Sequence, residues 1–93
     1  MIVGFRSTET ARIWQGHWSR KLPGDMQPVA LRKLRLLNQA QRLDDLRAPP
    51  GNRLEALKGE RAGQYSIRIN DQWRICFRWG PGGPDDVEIV DYH

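Results

Sequence analysis

The sequence predicts an α+β fold, two N-terminal helices packed on a mainly antiparallel β-sheet. Three observations carry this reading. Residues 65–79 alternate apolar and polar with period two, and Asn70-Asp71-Gln72 interrupts them, the pattern of a half-buried hairpin. Residues 26–43 repeat Met26, Ala30, Leu34 and Leu37 at helical spacing with Arg and Lys elsewhere, the pattern of an amphipathic helix. Helical signals come first and strand signals follow consecutively, which places the helices together on an antiparallel sheet.

Taken in order, Ile2–Phe5 is a short apolar run and a candidate first strand. Ser7 or Thr8 can cap a helix with Glu9 in its first turn. Ala11, Trp14 and Trp18 then fall on one helical face; core or helix–helix packing is the expectation for the tryptophans, and a partner-protein surface is the alternative. His17 falls on another face, as a surface histidine. Leu22-Pro23-Gly24-Asp25 breaks the pattern. Asp25 is the expected cap of the second helix, Pro28 is tolerable in its first turn, and the helix is expected to reach about Leu43. Val29, Leu36 and Leu43 widen its apolar face, and Arg32, Lys33, Arg35 and Arg42 take the rest. Asp44-Asp45-Leu46 makes a further short turn, and Arg47–Asn52 reads as a loop. Leu54, Ala56 and Leu57 suggest a short strand. Pro81–Pro84 is a tight turn, and Val87, Ile89 and Tyr92 mark a final strand.

Parity fixes the hairpin register. Directly opposed residues of an antiparallel pair share a face, so a loop of odd length keeps both apolar sets together. The loop Asn70–Gln72 pairs Ile69 with Trp73, Ile67 with Ile75 and Tyr65 with Phe77. It sets Arg68 across from Arg74 on the other face, with Arg78 further along. Like charges so opposed are unfavourable unless solvent separates them or both reach one anion, and the Arg fork suits phosphate.

Ninety-three residues make one domain, 1–93, with 15 Lys and Arg against 11 Asp and Glu, a net charge of +4 and a pI near 9.8. Arg supplies nearly all the positive charge; Lys stands only at 21, 33 and 58. Such a domain favours polyanions or an acidic protein as partners. The single Cys76 excludes an internal disulfide and a CxxC metal site and reads as a small strand filler. No apolar run approaches membrane-spanning length, and Met1–Arg6 lacks a signal-peptide layout, so a cytoplasmic location and no membrane partner are expected.

Phosphate loops, HExxH and GxSxG are absent, and no metal or cofactor is expected. What remains suits RNA phosphodiester cleavage, which needs an acid–base pair and cations. His93, Asp91, Glu55 and Tyr92 are the acid–base candidates. Lys58, Arg61, Arg68 and Arg74 are candidates for stabilising charge, and Tyr92 can also stack on a base.

Four ordered motifs carry a resemblance. Leu54-x-x-Leu57-Lys58-Gly59-Glu60-Arg61, Gln64–Asn70, Gln72–Phe77 and the terminal Asp91-Tyr92-His93 resemble the HigB, or killer-protein, toxins of the RelE/ParE toxin–antitoxin superfamily, over essentially the whole chain including the Pro-Pro-Gly-Asn loop. The resemblance implies a RelE-like, microbial RNase-like fold. It implies a ribosome-dependent mRNA endonuclease (an mRNA interferase that inhibits translation) and a HigA-like helix-turn-helix antitoxin as partner. Operator DNA would be reached only through that antitoxin. Arg74 is implied as the phosphate-stabilising arginine, Arg68 as a basic strand residue, and Asp91, Tyr92 and His93 as the functional carboxy-terminal triplet. Lys58, Arg61, Arg68 and Arg78 are the expected RNA contacts. Some members carry a His in the Leu-His-x-Leu-Lys-Gly segment; here that position is Glu55, a carboxylate base or polar surface. A non-catalytic ParE-like toxin or antitoxin-binding module is the alternative function.

Overall fold

A computed structural model describes residues 1–92; His93 lies outside them. Helix α1 is Thr8–Trp14, α2 is Gln27–Gln39, and strands β1 Glu55–Ala56, β2 Tyr65–Arg68, β3 Trp73–Gly80 and β4 Gly83–Asp91 form one antiparallel sheet in that order. This is the α+β arrangement expected from the sequence.

Helix α1 starts where Ser7 Oγ accepts from the Thr10 amide at 3.2 Å, an N-cap that satisfies one of the first-turn donors. It stops earlier than the aromatic spacing suggested. Gly16 adopts φ +87°, the Gly16 amide donates to Ile13 and the His17 amide to Arg12, which is a Schellman termination. Trp18 therefore lies beyond the helix and is 61% exposed, while Thr10 and Ile13 form the buried face.

Helix α2 follows a 3-10 turn, Gly24–Met26, with Pro28 at its start. Asp25 sits inside that turn and does not cap the helix. Met26, Ala30, Leu34 and Leu37 are buried, as their spacing predicts. The helix ends at Gln39, not near Leu43: Ala40 is extended at ψ 129°. Asp45 Oδ2 accepts from the Gln41 and Arg42 amides at 3.0 Å and so organises the next turn, Leu43–Arg47.

The β2–β3 register is the one that parity demands, with Tyr65 opposite Phe77, Ile67 opposite Ile75 and Arg68 opposite Arg74. Asn70 Oδ1 closes the loop by accepting from the amides of Gln72 (2.9 Å) and Trp73 (2.8 Å), an Asx-type turn. Two strand readings change. Residues 2–5 make one parallel bridge, Phe5 to Val87, because this run lies along β4 and exchanges only scattered hydrogen bonds with it, Val3 to Pro84 and Arg6 to Val87 among them. And β4 begins at Gly83, not near Val87. Its first half passes through a register shift and holds Asp86 at φ +50°, features that mask strand periodicity in the sequence.

Ile67, Ile69, Ile75, Phe77, Val87 and Ile89 pack against Ile13, Met26, Ala30, Leu34, Leu37 and Leu46. The opposite face is also covered in part: Ser66, Arg74 and Cys76 are buried. Helix and sheet are tied through Thr10, whose buried Oγ1 accepts from the Ile89 amide at 2.9 Å. Thr10→Val keeps the shape and orphans that amide, which costs about 1–3 kcal/mol. Urea unfolding measures it, and Thr10→Ser should recover most of the loss.

Candidate active site

Antiparallel register builds the polar face of the sheet row by row. Glu55, Ser66, Cys76 and Glu88 stand opposite one another across the four strands, and Arg68, Arg74 and Val90 form the next row. Against this face lie the Arg53 carbonyl, which meets Arg74, the Arg61 guanidinium, which meets Glu88, and Tyr92 after the end of β4.

Arg74 is the centre of this face. It is 9% exposed, and Nη2 donates to the Arg53 carbonyl at 2.7 Å. Nη1 lies 3.8 Å from Glu55 Oε1, a long contact that attracts without a hydrogen bond. The guanidinium carbon sits 5.1 Å from the centre of the Tyr92 ring, within cation–π range. Tyr92 in turn donates its hydroxyl to Glu55 Oε1 at 3.0 Å. Glu55, Arg74 and Tyr92, far apart in sequence, therefore make one cluster. Arg74 Nε is buried with no hydrogen-bond partner among the described residues, as is Ser66 Oγ. Native folds rarely leave such donors unmade, and an arginine with spare donors in a fixed fork is equipped to receive an anion.

The groups that hold Arg74 in place were not singled out in the sequence. Arg53 is left-handed at φ 47°, ψ 53°, a strained state for a non-glycine residue, and this orientation presents its carbonyl to Arg74. Asn52, fully buried before it, anchors the loop: Nδ2 donates to the carbonyls of Leu46 and Ala48 at 3.1 Å, and Oδ1 accepts from Lys33 Nζ of α2. Burial first, then Arg32 and Arg68, hold the Lys33 pKa below its ordinary value. The signal available in the sequence was an Asn in a Pro-Gly loop, a residue type that bonds nearby backbone.

The chain matches the family model described as a RelE-like toxin of the type II toxin–antitoxin system HigB over residues 4–93. The chain belongs to the HigB-like toxins. It is 46% identical over 63 residues to Toxin HigB-1 of Vibrio cholerae, which covers 68% of this chain and 66% of that protein, just under two thirds of its length. It is 36% identical over 76 residues to an uncharacterized protein of Haemophilus influenzae, covering 81% of this chain and 75% of that one. Among solved structures it resembles a YoeB/ParE toxin from Agrobacterium tumefaciens at TM-score 0.54 and 21% identity, over 99% of this chain and 96% of that one; this likeness supports the fold.

The other expected site residues of the chain are distributed around the Arg74 cluster. Asp91 accepts from Gln72 Nε2 at 3.2 Å and pairs across the sheet with Trp73. Arg61 bonds Gln64 at 2.9 Å and Glu88 at 3.1 Å. Arg78 Nε lies 3.4 Å from Asp86. Arg68 shares the Arg74 face, as parity requires, and turns to Asp71 in the hairpin loop, while Arg74 lies nearest Glu55. Lys58 is exposed beside the turn Gly59–Arg61. His93 falls outside the described residues. Cys76 is buried, which pushes its thiol pKa up and keeps it unreactive, in keeping with a strand filler.

Two predictions follow from the cluster. The hydrogen bond to Glu55, then its charge, raises the Tyr92 pKa above the ordinary 10.0. A raised pKa means that the contact stabilises the fold fully below the ordinary phenol pKa and is lost as pH rises through the shifted one. In a ¹³C NMR titration Glu55→Gln should bring the Tyr92 pKa back down; an unchanged value would rule out the contact in solution. Asn52→Ala removes the loop anchor and should lower stability in urea by about 1–3 kcal/mol, and a loss near zero would show that the loop is held by other means.

Proposed function

We propose that the toxin is a ribosome-dependent mRNA endonuclease that stops translation in the cytoplasm, without a metal or other cofactor. The observation that carries this reading is Arg74, buried, braced by the Arg53 carbonyl and keeping an unpartnered Nε, with a carboxylate and a phenol beside it in a chain of the HigB-like family. In the proposed reaction the RNA 2′-oxygen attacks the adjacent phosphorus and gives up its proton to a base, Glu55 or His93. The bond to the 5′-oxygen breaks as that oxygen takes a proton from an acid, His93 or Tyr92, leaving a cyclic phosphate and a 5′-hydroxyl. Arg74 stabilises the crowded anionic phosphorane between these steps. Asp91 orients the carboxy-terminal residues, and where His93 is the acid Tyr92 stacks on a base. Lys58, Arg61, Arg68 and Arg78 contact the RNA backbone, each of the last three exchanging its carboxylate for phosphate. The antitoxin partner is read as a HigA-like helix-turn-helix protein, through which alone the toxin reaches operator DNA.

A second reading, a non-catalytic ParE-like toxin, is favoured by one observation: Arg61, Arg68, Arg74 and Arg78 each already have a carboxylate in range. Growth arrest with mRNA loss supports the nuclease, and arrest with DNA damage supports the alternative.

Arg74→Ala should slow single-turnover cleavage on programmed ribosomes by about 10²–10³-fold, as removal of one charge-stabilising group does. Deletion of His93 should slow it by about 10²–10⁴-fold, the range of general acid–base catalysis, with melting unchanged. Full activity without His93 would move proton transfer to Tyr92, Asp91 and Glu55. The same RNA free in solution should be cut far more slowly than on the ribosome; equal rates would overturn ribosome dependence.

A further inference from the structure

Charge is divided unevenly along the toxin. Residues 1–53 hold ten Lys and Arg against four Asp and Glu, and residues 54–93 hold five against seven. The structure sharpens the division. In the sheet half, the four arginines at 61, 68, 74 and 78 each meet a carboxylate. In the helical half, Glu9 accepts from Ser19 Oγ at 2.6 Å, Asp44 pairs with Arg47, and Asp45 binds the Gln41 and Arg42 amides. Among the described residues Arg12, Arg20 and Lys21 have no acidic partner.

These three cations gather at Trp18. With His17, Trp18 and Glu9, whose carboxylate accepts from Ser19, they line one depression, and His17 and Trp18 also border a groove of about 250 Å³ walled by Ile13, Gln27, Pro28 and Leu31. Trp18 is 61% exposed, yet it is held. Its ring rests on Gly24, where a Cβ would come within 2.8 Å of Cζ2, and its carbonyl accepts from Arg12 Nη2 at 3.2 Å. A fixed, exposed Trp beside an apolar groove and uncompensated cations has the composition of an interface anchor.

We propose that this face docks an acidic segment of the toxin's antitoxin, with an aliphatic or aromatic side chain in the groove beside Trp18 and carboxylates on Arg12, Arg20 and Lys21. The proposal rests on the type II toxin reading for the existence of that partner; the site comes from the surface itself. The cations would attract RNA phosphate equally, but Ile13, Pro28 and Leu31 accept an apolar side chain and the Gln27 amide beside them is already bonded to Ser19 and Leu22, so apart from His17 the groove's lining favours a protein segment over the polar edges of a base.

The test measures binding of the purified product of the reading frame adjacent to the toxin's, at low and high salt. Trp18→Ala should weaken binding at least about tenfold, with Trp18→Phe recovering most of it. Arg20→Glu combined with Lys21→Glu should weaken it similarly and flatten its salt dependence, while Arg78→Ala on the sheet leaves it within about twofold; thermal melting confirms that each variant is folded. Wild-type affinity in the Trp18 and Arg20/Lys21 variants overturns the docking site and leaves the toxin reading standing. Unchanged antitoxin affinity with loss of ribosome association would make the face an RNA contact, which also overturns it. If the adjacent product does not bind wild type, the partner reading fails and the proposal with it.

Discussion

The three-residue loop Asn70–Gln72 sets β2 against β3, and that register divides the sheet into two faces with different work to do. Ile67, Ile75 and Phe77 go beneath the helices, fully buried. Ser66, Arg74 and Cys76 go to the other side, where Arg74 meets the Arg53 carbonyl. A slip of one residue would exchange the two sets, removing the core and burying a row of polar groups against the helices. The fold and the candidate site therefore depend on the same constraint.

On the polar face a buried arginine needs compensation. Moving a charge out of water is costly unless it is paired and hydrogen-bonded, and Arg74 receives one strong hydrogen bond, one distant carboxylate and one aromatic face. This set is enough to hold the side chain and leaves Nε unmade. The bracing extends outward through the left-handed Arg53 and buried Asn52 to Lys33 on α2, so the helical layer also supports the site, across the loop between them. The remaining sheet arginines sit with acidic neighbours, and the surplus positive charge of the molecule stands on the helical half. One charge total in the composition thus resolves into two surfaces with different electrostatic character.

Much of this was readable in the chain because it is local. Period-two alternation and an odd loop length decide register within a dozen residues, and the heptad-like spacing of Met26, Ala30, Leu34 and Leu37 decides the buried face of α2. The end of α1 was also written locally, in Gly16, but the recurrence of Trp14 and Trp18 at helical spacing masked it; a residue type that adopts positive φ without strain outweighed the apolar period. The early start of β4 was hidden because Asp85, Asp86 and Pro84 are poor strand formers that the sheet edge and a register shift accommodate. Among the site residues, Glu55, Arg74 and Tyr92 were named from chemistry and resemblance, and the structure brings them together.

The sequence by itself determined the α+β class, the β2–β3 register, the buried stripe of α2 and the side of the sheet on which Arg74 stands. Each depends on neighbours a few residues away, where backbone geometry leaves little choice. Tertiary structure decided what Arg74 touches. Its partner carbonyl is 21 residues away, the Lys33–Asn52 bond spans 19, the Arg61–Glu88 pair 27, and the Tyr92–Glu55 hydrogen bond 37. Pairings over such separations exist only once the Arg53–Gln64 segment has folded back against the sheet, because no local periodicity encodes which carboxylate or carbonyl will arrive opposite a given guanidinium.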